Sequence, residues 1–257
     1  MAFEKHVGEL EHASRNLAPI LVQTCDQILL DHPDKAIVVM GTGCRAAYSV
    51  MRKLARRLPG RGSHRRVILL DISTKLLYGK EYPNFVHSQH MGSYYFGRFF
   101  MGAEDEKRNE EIFRYAKAAG VLDHKNMVLL DTGFYGNVIR NLRRIILKRS
   151  PGPWYKRRKI GMVLFSSNGG TKKEIIKTPS QIGENSGGAI AHWLEFGKID
   201  NLASPAGVKT GSAMVPWRGG MRPVYEPTSE ASKKFTALKH RIIAEHVDKY
   251  VSERKAA

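Results

Sequence analysis

Cysteine is almost absent from this chain of 257 residues, which contains only Cys25 and Cys44. With no C-x-x-C pair they supply neither a disulfide framework nor a zinc signature, and both thiols are expected to be packed as small apolar groups. Long apolar runs are missing too, none approaching the roughly 20 residues that span a bilayer. The stretch before Leu30 carries acids and histidines where a secretory leader would be cationic and then apolar, so a cytosolic (cytoplasmic) protein is expected. No internal repeat or low-complexity tract is visible, and the order of elements must carry the architecture. What remains is a chain 42% hydrophobic, ample for a core.

Acids are also scarce, 24 against 42 Lys and Arg, for a net charge of +18. The excess sits in two segments, 35–100 and 128–178, each with twelve bases and two acids. Such a field attracts phosphorylated metabolites, nucleic acid or an anionic surface, and charge alone does not choose among them.

Val7, Leu10, Ser14 and Leu17 share one helical face over 4–17, and Pro19 is expected to start a second helix through Leu30. Ala36-Ile37-Val38-Val39-Met40, closed by Gly41-Thr42-Gly43, suits a buried parallel strand. An amphipathic helix follows, with Ala46, Ala47, Val50, Met51, Leu54, Ala55 and Leu58 on one face and Arg45, Arg52, Lys53, Arg56 and Arg57 on the other. Val67–Asp71 reads as a second strand ending in an acid, and 79–103 as a long aromatic excursion. Glu104–Ala119 is expected to be a surface helix stopped by Gly120. A strand from Met127 ending at Asp131, a basic helix from Asn137 to Lys148 and a strand over Ile160–Phe165 come next. Residues 166–228, dense in Gly, Pro and Ser, suggest irregular structure or short strands, and a last helix covers Ser229–Val251. The alternation predicts an α/β protein of three layers with a mostly parallel, Rossmann-like sheet. Its parts are an N-terminal helical extension (1–34), an α/β domain (35–228) and a C-terminal helix (229–257).

Two strand-to-helix loops are candidate anion sites. In Gly41-Thr42-Gly43-Cys44-Arg45 the glycines let backbone approach a phosphate at a helix N-terminus, and Arg45 offers a guanidinium fork; a tight turn needing small residues is the plainer reading. A dinucleotide or S-adenosylmethionine site, as in a Rossmann-like methyltransferase, would use Asp71 for ribose hydroxyls, but a third glycine is missing. The second loop, Asp131-Thr132-Gly133-Phe134-Tyr135-Gly136-Asn137, brings an acid, a hydroxyl and two glycines to a helix start.

The order of strand, Gly-Thr-Gly loop, basic helix, strand ending in Asp71, then Val128-Leu129-Leu130-Asp131-Thr132-Gly133 resembles the type I phosphoribosyltransferases. The resemblance implies that Thr42, Gly43 and Arg45 hold pyrophosphate and that Thr132, Gly133, Gly136 and Asn137 hold the 5-phosphate of phosphoribosyl pyrophosphate. Asp131 would then face the ribose or its Mg²⁺, with Asp131 and Arg45 as catalytic residues. Asp71, Tyr135, Trp217 and Arg218 are candidates for contacting the substrate, with Phe134, Tyr135 and Trp217 able to stack on a base. One acid stands here where that family carries two adjacent ones. Asp131–Gly136 is also similar to the Asp-Ile-Gly-Trp-x-Gly motif of bacterial proteins from surface-polysaccharide gene clusters, as are Trp193-Leu194-Glu195, Ser204-Pro205-Ala206-Gly207 and Pro223-Val224.

The function expected is binding of a phosphorylated sugar or nucleotide, with phosphoribosyl or glycosyl transfer as its chemistry. Nucleic-acid binding through the basic helices is the rival expectation, to which the run Trp154–Lys159 would add aromatic and basic side chains. His87 and His90 form a pair without a third metal ligand, and Asp71 lacks the second aspartate of an aspartyl-phosphate hydrolase.

Overall fold

The computed structural model describes residues 2–41, 43–72, 76–77, 103–134, 137–150, 158–167, 175–176, 190, 193–194, 214–217, 220–223 and 230–256. In chain order the elements are α1 (Ala2–Asp31), β1 (Ala36–Met40), α2 (Arg45–Arg57), a 3-10 turn (His64–Arg66), β2 (Val67–Leu70), α3 (Ala103–Ala118) and a second 3-10 turn (Val121–Asp123). Then follow β3 (Asn126–Phe134), α4 (Asn137–Arg149), β4 (Lys159–Ser167), β5 (Ile175–Ile176), β6 (Met214–Trp217), β7 (Gly220–Pro223) and α5 (Glu230–Ala256).

The main sheet runs β2-β1-β3-β4-β5, and every neighbouring pair is parallel, with Ile37 opposite Val67, Ala36 opposite Met127 and Leu130 opposite Val163. Strand side chains alternate between faces, so each strand feeds two cores. Ile37, Val39, Val128, Leu130, Val163 and Phe165 pack with α1, α2 and α5, whereas Val38, Met40, Met127, Leu129, Met162 and Leu164 pack with α3 and α4. The result is a three-layer α/β architecture. All five residues of β1 are buried, as a central parallel strand covered on both faces requires. β6 and β7 form a separate antiparallel hairpin, and β7 packs against α3.

Two expectations about elements are corrected. The N-terminal residues form one helix rather than two, with Pro19 inside it. Proline lacks an N–H and breaks an isolated helix. Here Ala18, Leu21, Val22 and Cys25 are buried on either side of the proline, and packing against α2 and α5 carries the helix across it. The second correction concerns β3, which does not stop at Asp131 but continues to Phe134. β1 ends at Met40, yet β4 runs on to Ser167 and offers partners, Gly133 to Ser166 and Phe134 to Ser167. α5 also extends beyond Val251, to Ala256.

Several bases are consumed inside the fold. Arg66 is buried, and its guanidinium donates to the carbonyls of Leu29 (3.1 Å), His32, Lys35 (2.5 Å) and Arg61 (2.6 Å), closing the C-terminal end of α1. Arg61 makes a two-pronged bond to Asp26, only 2% exposed, which also accepts from the Tyr250 hydroxyl of α5 at 2.8 Å. Arg158 donates to the carbonyls of Leu122 and His124. Among the described residues no helix is long and apolar enough to cross a membrane.

Candidate functional site at the sheet switch point

β1 and β3 are neighbours, but the chain leaves them in opposite senses. β1 leads through α2 on one face to β2, and β3 leads through α4 on the other face to β4. The crevice beyond their carboxyl ends is the topological switch point, where open α/β sheets bind ligands. One wall is the loop from Gly41 into α2. Gly41 has φ +68°, its N–H donates to the Leu70 carbonyl at 3.0 Å, and a Cβ there would sit 3.4 Å from the Ile72 carbonyl oxygen. This close approach folds the loop over the end of β2. α2 then begins without a side-chain cap from Cys44 and without an acid in its first turn, so its positive dipole end is not offset by a neighbouring carboxylate of its own.

Arg45, at the first position of α2, forms a fork-to-fork pair with Asp71, Nε to Oδ1 at 3.2 Å and Nη2 to Oδ2 at 2.8 Å. Asp71 is 11% exposed and Arg45 37%, so the pair lies partly out of water. The Asp71 backbone N–H donates to the Tyr115 hydroxyl of α3 at 3.2 Å. Two residues singled out separately in the sequence are therefore joined to each other, one orienting the other.

The opposite wall is the extension of β3. Asp131 follows the last residue of β3 that pairs with β1, and its Oδ1 accepts from the Thr132 N–H at 2.9 Å and the Thr132 hydroxyl at 3.4 Å. Thr132 is buried, so its hydroxyl orients Asp131. β2 and β3 flank β1, so the backbones at Asp71 and Asp131 are about two strand spacings, roughly 10 Å, apart at the same end of the sheet.

α5, packed on the same face of the sheet as α2, carries Lys239 and His240. Burial, and then the charges of Lys239, Arg45 and Lys53, push the His240 imidazole below its ordinary value. Burial alone pushes Lys239 down to about 8. The Lys239 ammonium donates to the carbonyls of Trp193 (3.4 Å) and Leu194 (3.2 Å) and lies 5.8 Å from the centre of the Trp193 ring. The Trp193 indole N–H in turn donates to Ser14 of α1 at 3.0 Å. His240, Lys239 and Tyr115 carried no signal in the sequence, because each sits in an ordinary amphipathic helix and acquires its neighbours only on folding.

The other candidate residues are distributed as follows. Gly43 is in the turn before α2, Gly133 lies within β3 rather than in a loop, and Asn137 begins α4. Trp217 ends β6 opposite Gly220, on the hairpin that packs through β7 against α3. Thr42, Tyr135, Gly136, Arg218, His87, His90 and residues 154–157 of the basic run lie outside the described residues. Among the described residues no cluster of three or more His, Cys, Asp or Glu could hold a metal.

The basic charge at the far end of α4 is paired. Lys148 meets Glu106 at 2.5 Å, and Arg149 bridges Glu106 and Glu110 of α3. No protein-family model, curated protein or solved structure matches this chain.

Proposed function

We propose that the switch-point crevice binds a phosphorylated sugar or nucleotide, with phosphoribosyl or glycosyl transfer and loss of pyrophosphate as the chemistry of the site. The observation that carries this reading is the meeting of two helix starts, α2 and α4, at the carboxyl ends of neighbouring strands β1 and β3, with Asp131 beside them. Helix N-termini present N–H groups and a positive dipole to anions. In this reading the backbone at Gly43–Arg45 holds the leaving pyrophosphate, with Arg45 oriented by Asp71, and the N-terminus of α4 at Asn137 holds the other phosphate. Asp131 faces the ribose hydroxyls or a Mg²⁺. Magnesium bound through substrate phosphates needs only one or two protein carboxylates, so a single Asp131 fits it. When bound it would neutralise charge on the leaving pyrophosphate. Positioning and electrostatics would supply the catalysis.

The engagement of Asp71 by Arg45 favours this reading over a methyltransferase or dinucleotide site, which needs that acid for ribose hydroxyls. A thermal-shift panel of phosphoribosyl pyrophosphate, nucleotides and short oligonucleotides, with and without Mg²⁺, tests it. A ligand at about 100 times its Kd should stabilise the protein by about 2.7 kcal/mol, a rise of roughly 5–10 °C. Asp131→Asn should abolish that rise. A response to oligonucleotides with none to any small phosphate would overturn the proposal.

A further inference from the structure

The half of α2 remote from the crevice carries an unneutralised cationic surface. Arg52, Lys53 and Arg56 lie on this helix, and the 3-10 turn His64–Arg66 packs against it, adding His64 and Arg65. Arg56 and Arg65 are exposed, and Arg52 and Lys53 half-buried. Among the described residues no carboxylate pairs with any of these four, whereas Arg57 next to them is taken by Asp248. Partial burial and the charges of Arg56, Arg52 and Arg65 lower the His64 imidazole below its ordinary value, so these cations share one field.

The geometry is fixed in advance. The Ser63 hydroxyl accepts the Arg65 N–H at 3.2 Å, and buried Arg66 clamps the turn to the end of α1, which leaves the adjacent Arg65 facing outward. Tyr48 holds Arg52 through a 2.6 Å bond to its hydroxyl, with the guanidinium 5.5 Å from the ring centre. Three of the four cations are arginines, whose planar forks match phosphate oxygens. The surface holds no exposed large apolar side chain, since among the described residues Leu30 of α1 is the one such group. That argues against a membrane-inserting face, which needs apolar side chains to bury in the bilayer.

We infer that this surface of α2 and the turn at 64–66 docks the sugar–phosphate backbone of a nucleic acid, independently of base sequence. Arg56 lies eleven residues beyond Arg45, roughly 16 Å along the helix, so this site is separate from the crevice.

Fluorescence anisotropy with the full chain and labelled mixed-sequence oligonucleotides, titrated with salt, tests it. Four phosphate contacts predict a slope of log K against log salt of about −3.6 for duplex DNA and about −2.8 for single strands. Affinity should then fall roughly 100-fold from 50 to 200 mM salt on a duplex. The double substitution Arg56→Ala with Arg65→Ala should flatten the duplex slope by about 2, while Arg144→Ala, which removes an exposed arginine from α4, should leave it unchanged. The melting curve of each variant confirms its fold. Absence of oligonucleotide binding at low salt, an equal loss with Arg144→Ala, or tighter binding to phosphatidylserine vesicles than to any oligonucleotide would overturn the inference. Because Arg56 and Arg65 lie outside the crevice, failure here and failure of the small-phosphate reading are distinguishable.

Discussion

At Arg66, a guanidinium that composition alone would assign to a surface facing an anionic partner is turned inward onto backbone carbonyls at the end of α1. Burial lowers its affinity for the proton, and the carbonyl dipoles keep it in place. Arg66→Ala should lower stability by about 3 kcal/mol in urea denaturation, since several charge-assisted bonds are lost and the carbonyls are left without a partner. It should also release the last turn of α1 to fast hydrogen exchange. Lys239 makes a pH-dependent prediction. Burial holds it at about 8 in the folded chain, against an ordinary lysine value of 10.5. Below pH 8 both states are protonated and the burial cost is fully present. Between pH 8 and 10.5 the unfolded chain binds the proton that the folded chain has released, so stability should rise with pH by on the order of 3 kcal/mol. Lys239→Met should remove that rise, read as the difference between the two proteins' denaturation midpoints across the window.

Periodicity makes the elements legible where their partners are local or generic. β1 reads from five consecutive apolar residues, α2 from its two-faced pattern, and the end of α3 from Gly120, which adopts φ +83°. The misreadings have a common cause in tertiary packing. The continuation of β3 through Gly133 depends on the length of β4, thirty-odd residues away, and no local pattern announces it. α1 passes through Pro19 because two other helices cover its buried face. Pro19→Ala should therefore raise stability by about 1–3 kcal/mol by removing a helix-breaking ring. A fall in melting temperature would show that the proline conformation is needed for the packing. At the site, the aspartates and Arg45 were visible as residue types, but the Arg45–Asp71 pair joins positions 26 apart in sequence and is legible only once β1 and β2 are adjacent.

At the scale of the whole molecule, the basic side chains among the described residues are put to three uses. Arg61, Arg66 and Arg158 close the ends of helices and turns, Lys148 and Arg149 join α3 to α4, and the outer end of α2 keeps an unneutralised surface. The three-layer sheet sets the end of β1 beside that of β3 and so brings the Arg45–Asp71 pair and Asp131 to the same end of the sheet. The account turns on whether the switch-point crevice recognises a small phosphate. Isothermal titration of phosphoribosyl pyrophosphate with Mg²⁺ into the full chain and into Asp131→Asn tests this most directly. Saturable one-to-one binding that survives moderate salt and is lost in Asp131→Asn is the predicted result; equal binding by both proteins, or none by either, would contradict it.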